Sequence, residues 1–224
     1  MALSGPRIPP LKGQATHLVV LVHGYGADGN DLIGLAPHWQ RALPTVAFAA
    51  PNGPERCPGS PGYQWFPIAR LDPQELARGV ESAAPKLEDF IRAELARLSL
   101  DESRLALIGF SQGTMLSLAL AMSGAVKPAC VIGYSGLLAQ PARPSPPPPV
   151  LLVHGAADPM IPAEAMFATA ATLGEAGVPV QWHLSPGTGH GIDETGLALG
   201  GQFLTLALRG RLALRGEVSC PIPV

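Results

Sequence analysis

Residues 105–121 read LALIGFSQGTMLSLALA, an apolar run broken once, by a polar pair between two glycines. Leu105 to Ile108 predict a short buried strand. Met115, Leu116, Leu118, Ala119 and Met122 recur at helical spacing until Gly124 closes the run. The polar pair therefore falls on a strand-to-helix turn with almost no loop. A turn that sharp crowds side chains against backbone, which gives Gly109 and Gly113 a physical reason. It also lifts Ser111 clear of the sheet edge and over the start of the helix, the geometry of a nucleophile elbow, G-x-S-x-G. The chain holds 26 glycines, so the five-letter pattern is informative only because a strand precedes it and a helix follows.

The rest of the chain repeats that alternation. Strands are expected near 18–23, 45–50, 105–110, 129–134, 150–154 and 179–184. Helices are expected near 30–42, 73–98, 112–123, 162–176 and 194–208. Continuous apolar strands separated by helices imply a mostly parallel central sheet flanked by helices on both faces, an α/β fold. The 224 residues fit one domain, 1–224, with a core over about 15–208 and a loosely attached tail, 209–224. Only 15 residues separate Tyr134 from Val150, too few for a large lid domain, so the cleft should be open and shallow.

Composition excludes several functions. Hydrophobic residues make up 47% and charged residues 14%, with a formal net charge of −2, which offers nothing to nucleic acid or an anionic membrane. No apolar run approaches a membrane span, and MALSGPRIPP lacks the regions of a signal peptide. Cys57, Cys130 and Cys220 are odd in number and widely spaced, which reads as reduced thiols in a cytoplasmic protein. No His/Asp/Glu cluster has metal-ligand spacing.

A serine needs a base to take its proton and an acid to orient that base. In strand-turn-helix hydrolases the chain order is nucleophile, acid, histidine. After Ser111 the aspartates are Asp158 and Asp193, and the histidines are His154, His183 and His190. Asp158 follows the strand VLLV on the loop of VHGAADPMIP and is the expected acid. Asp193 stands before the last helix and reads as its N-cap. His183 lies inside the strand VQWHL, and His154 precedes the acid's loop and reads as structural. His190, in SPGTGHGIDE among Gly187, Gly189 and Gly191, is the expected base. The oxyanion needs two N–H donors. Gln112 N–H, at the helix start, is one. VVLVHGYGADGNDL at 19–32 supplies the other, Tyr25 N–H.

The connection at 52–72, NGPERCPGSPGYQWFPIARLD, shows no periodicity. Loops of this length are commonly functional, and Tyr63, Trp65 and Phe66 need something to pack against. Core anchoring and lining of a substrate cleft are equally compatible with these residues.

HGYGADGNDL, GYQWF, GFSQG, HGAADPMIP and GTGHGI, in that order, resemble the phospholipase/carboxylesterase family of α/β-hydrolases, which includes bacterial carboxylesterases and acyl-protein thioesterases. The resemblance implies an α/β-hydrolase fold without a large lid, cytoplasmic location, no cofactor or metal, and hydrolysis of esters or thioesters. It implies Ser111, Asp158 and His190 as the triad, Tyr25 and Gln112 as the oxyanion amides, and Trp65 and Phe66 beside the acyl site. Thr114 stands where many members carry a small residue, and the tail matches nothing in the family. The expected activity is a serine carboxylesterase acting on small to medium esters. An acyl-protein thioesterase or lysophospholipase, with a groove for a long acyl chain, is the alternative within the class. A non-catalytic ligand-binding protein on the same fold is the alternative outside it. The expected partner is a small-molecule ester, with no nucleic acid and no membrane span, and a homodimer is left open.

Overall fold

The structure, a computed structural model, describes residues 2–69, 71–142 and 146–212. Seven strands form the central sheet: β1 (Arg7–Ile8), β2 (His17–Val22), β3 (Val46–Ala49), β6 (Leu105–Phe110), β7 (Cys130–Tyr134), β8 (Val150–Gly155) and β9 (Val180–Ser185). A separate hairpin pairs β4 (Glu55–Arg56) with β5 (Tyr63–Gln64). The order across the sheet is β1-β3-β2-β6-β7-β8-β9. Only β1 runs antiparallel to its neighbour. Six α-helices lie among the described residues: α1 (Gly29–Ile33), α2 (Ala36–Gln40), α3 (Pro73–Leu98), α4 (Gln112–Ser123), α5 (Ala163–Glu175) and α6 (Glu194–Leu208).

The period-two alternation of the strands sorts their side chains into two cores. Leu18, Val20, Val22, Leu105, Leu107, Val131 and Leu152 face α3, α4 and α5. Val19, Leu21, Ala106, Ile108, Ile132, Leu151 and Val153 face α1, α2 and α6. Helix α4 is buried from Gln112 to Met122, as expected of a helix apolar on all sides. It packs between the sheet and α3, which fixes the position of the turn that starts it.

Two expectations are corrected. The single helix expected at 30–42 is two short ones, α1 and α2, because Pro37 at the start of α2 cannot continue a preceding turn. The cap of α1 is Asp28, whose carboxylate accepts from Asn30 N–H at 2.8 Å and Asp31 N–H at 3.1 Å. The connection at 52–72 is not without regular structure, since it folds back as the β4–β5 hairpin. Two-residue strands leave no periodicity to detect, and the same holds for β1. The loosely attached tail expected at 209–224 lies outside the described residues from Ala213 onward, as does Cys220. Cys57 and Cys130 are both buried and unpaired, and burial pushes the Cys130 thiol up to about 12. No helix among the described residues is long and apolar enough to cross a membrane.

Candidate active site

All the candidate residues come from connections beyond the C-terminal ends of parallel strands, where ligands bind in open α/β sheets. Ser111 follows β6 with φ 54° and ψ −114°, a backbone conformation rare for a residue with a side chain. The turn is tight enough that a Cβ on Gly113 would overlap the Val22 carbonyl of β2. Ser111 N–H donates to Tyr134 O at 2.8 Å, pinning the elbow to the end of β7. Thr114 adds a second pin. Its hydroxyl lies 2.9 Å from Gly109 O and 2.8 Å from Tyr134 O, while its methyl and Cβ occupy the space that side chains at Gly133 and Gly136 would take. The larger residue is thus accommodated by two glycines on the neighbouring strand end.

Asp158 sits on the connection after β8 with its carboxylate fully buried. Oδ1 accepts from Met160 N–H at 2.8 Å and Ile161 N–H at 3.0 Å. Oδ2 lies 2.7 Å from His190 Nδ1. Burial opposes the charge and would raise the Asp158 carboxyl. The bonds from His190, Ile161 and Met160 outweigh it, and the pKa falls below the ordinary carboxylate value. A carboxylate only accepts, so Nδ1 of His190 carries the hydrogen and Nε2 is left as the basic nitrogen. The His190 ring packs on Phe110, the residue before Ser111, with centroids 5.0 Å apart. No hydrogen bond joins the Ser111 hydroxyl to His190; such bonds commonly tighten only around a substrate.

Sequence reasoning missed a second histidine beside Asp158. His154, buried on β8, donates through Nε2 to Ile161 O at 2.8 Å, and the same nitrogen lies 3.3 Å from Asp158 Oδ2. Its position four residues before Asp158 is the one signal that hinted at it. Asp193 does cap α6: its Oδ1 accepts from Gly196 N–H and from the Ser185 hydroxyl, both at 2.8 Å. His183 stays in β9, away from these contacts.

The early loop is built around His23, which is completely buried. Gly53 N–H can only donate, and it lies 2.8 Å from Nε2. Gly24 O can only accept, and it lies 2.7 Å from Nδ1. His23 is therefore the neutral Nδ1–H tautomer. Burial holds its pKa below the ordinary value, with the Gly24 bond opposing. Tyr25 follows on the exposed rim, and neither its N–H nor that of Gln112 is committed to another hydrogen bond among the described residues.

Trp65 and Phe66 are 1% and 2% exposed and belong to the core on the α3 side. Trp65 Nε1–H donates to His23 O at 3.0 Å. The Gln112 side chain clamps the same pair, accepting from Trp65 N–H at 2.9 Å and donating to Phe66 O at 2.7 Å. Such burial favours anchoring over lining. The clamp is a role for Gln112 that its place in the elbow motif did not signal, and a buried amide requires partners of this kind.

A Cβ at Gly136 would crowd Ser111 O, and the residues that follow Gly136 line an apolar groove of about 510 Å³. Leu71, Leu76, Leu137, Leu138, Ala165 and Thr169 line it, between the start of α3 and α5.

Comparison with known proteins bears on the family and the fold. Residues 4–208 match the phospholipase/carboxylesterase family model. An acyl-protein thioesterase 1 of Gibberella zeae is 29% identical over 211 residues, covering 83% of this chain and 88% of the relative. Esterase YpfH of Escherichia coli is 28% identical over 181 residues, covering 80% and 78%. Among solved structures, esterase PE8 superposes with a TM-score of 0.86 at 37% identity, covering 91% of this chain and 98% of its own. The Bacillus cereus carboxylesterase shares the fold, with a TM-score of 0.76 at 15% identity and coverage of 92% and 94%.

Proposed function

The chain belongs to the phospholipase/carboxylesterase family of α/β-hydrolases and is a carboxylic ester hydrolase, and from that premise we propose that it works as a serine carboxylesterase on small to medium esters. Ser111 is the nucleophile, His190 the base and Asp158 the acid that orients it. The observation that carries the proposal is the 2.7 Å bond between His190 Nδ1 and a buried, charged Asp158, beside a serine in a strained turn.

The reaction follows from which atoms are free. His190 Nε2 takes the proton of Ser111 as Oγ attacks the carbonyl carbon, and the carbonyl π electrons move onto oxygen. The Tyr25 and Gln112 N–H groups receive that oxyanion, with the α4 dipole behind Gln112. His190 then gives its proton to the leaving alkoxide, releasing the alcohol and an acyl-Ser111 ester. Water, activated by the same nitrogen, hydrolyses it. Trp65 and Phe66 act at one remove, holding the wall of the site through Gln112 and His23. In this reading residues 1–224 form one α/β-hydrolase domain that works in the cytoplasm.

The apolar groove favours a second reading, an acyl-protein thioesterase or lysophospholipase whose long acyl chain lies against Leu71, Leu137 and Leu138. Rates on p-nitrophenyl esters from acetyl to palmitoyl, beside a palmitoyl thioester, decide between the two. The first reading expects a maximum at short or medium chains. A maximum at palmitoyl, on ester or thioester, transfers the assignment to the second. Activity on neither would leave a ligand-binding protein on the same fold.

A further inference from the structure

The end of β7 carries a residue that this mechanism does not use. Ser135 is completely buried and stands at φ 47°, in the left-handed region where a side chain is strained. Glycine would remove that strain, so the serine side chain needs a reason to be there. Its hydroxyl donates to Gly191 O at 3.2 Å, and Gly191 directly follows His190.

The neighbouring bonds show what this contact joins. Tyr134 O, one residue earlier, accepts from Ser111 N–H at 2.8 Å. Ser135 N–H donates to Val153 O at 2.9 Å, on the strand that leads to Asp158. Two consecutive residues therefore tie the elbow, the acid's strand and the histidine loop to one point. The histidine loop needs such a strut. Gly187, Gly189 and Gly191 widen the conformations open to its backbone, Thr188 O ties the loop only ahead of His190, accepting from Ala157 N–H at 2.9 Å, and no side chain fills the space beside Gly191.

We infer that Ser135 is a positioning residue that, through Gly191 O, sets where His190 stands relative to Ser111. The inference rests on the triad reading. Ser135 is completely buried, so its loss should slow proton transfer between Ser111 and His190 without weakening substrate binding. A misplacement of about 1 Å in such a group is enough to cost roughly 100-fold in rate.

Two variants separate the hydroxyl from the strain. Ser135→Ala removes the hydroxyl and keeps the strain, whereas Ser135→Gly removes both. On a medium-chain p-nitrophenyl ester, both should lower kcat by roughly 10- to 100-fold with KM unchanged, while the glycine variant melts at the higher temperature of the two. Parallel losses of kcat at different stabilities would assign the effect to the hydroxyl. Wild-type kcat in Ser135→Gly would overturn the inference and leave Ser135 a packing residue. Labelling of Ser111 by a fluorophosphonate keeps the two levels apart. If the wild type is labelled and the variants turn over at its rate, only the positioning role fails. If the wild type is not labelled, the triad reading fails and takes this inference with it.

Discussion

At the scale of single residues, the two aspartates after Ser111 have been given opposite duties by their partners. Asp158 accepts from His190 and two backbone amides, while Asp193 accepts from Gly196 N–H and the Ser185 hydroxyl. Asp158→Asn should lower turnover by roughly 10³–10⁴, by analogy with loss of the orienting carboxylate in other serine triads. Asp193→Asn should leave turnover near wild type, because an amide oxygen caps a helix about as well as a carboxylate. Steady-state rates of the two variants check this, and a reversal of their effects would move the acid to Asp193. His23 sets a pH limit on stability. Its folded pKa lies below that of the unfolded chain because the ring is buried. Between the unfolded value near ~6.5 and the depressed folded value, the unfolded chain binds a proton that the folded one does not, so stability falls as pH falls through that window. Asp158, depressed in the other chemical class, adds stability above the unfolded value of about 3.9 that is lost as pH drops through its own folded value. Urea midpoints measured across the histidine window should decline toward acid in the wild type and be flatter in His23→Asn, the two curves coinciding if His23 plays no part.

At the scale of elements, the strand–turn–helix from Leu105 to Ser123 was the most legible part of the chain. Its strand is buried on both faces, its helix is apolar all round, and the turn between them had to take Gly109 and Gly113. The pairing of Asp158 with His190 was legible for a similar reason, since each lies on a glycine-containing loop after a strong strand. What could not be read depends on contacts between distant segments. Gln112 reaching Trp65 and Phe66, Ser135 reaching Gly191 and His154 reaching Ile161 O leave no periodicity, and the β4–β5 hairpin is too short to show one. Trp65 and Phe66 were legible as residues needing partners, but the choice between core and cleft required the buried positions themselves. Truncation of a fully buried tryptophan costs about 3–5 kcal/mol, so Trp65→Ala should lower the melting temperature and depress activity on all esters together. An unchanged melting temperature with a shifted acyl preference, measured on the same preparation, would return Trp65 to the substrate cleft.

At the scale of the whole molecule, the parallel sheet does the assembling. Strands β2, β6, β7, β8 and β9 end on one edge, and their connections bring Tyr25, Ser111, Ser135, Asp158 and His190 to that edge from positions spread over most of the chain. The helices on each face fix the strands, and the strand ends fix one another through Tyr134 and Ser135. Two apolar cores therefore hold a polar edge at which Ser111 stands on the turn between β6 and α4. The most direct measurement is the intact mass of the protein after exposure to a fluorophosphonate ester, with the adduct located by peptide mapping. The account predicts one adduct per chain on Ser111, abolished in Ser111→Ala and formed far more slowly in Asp158→Asn. An adduct on any other residue, or none on a folded wild-type protein that still hydrolyses esters, would contradict it.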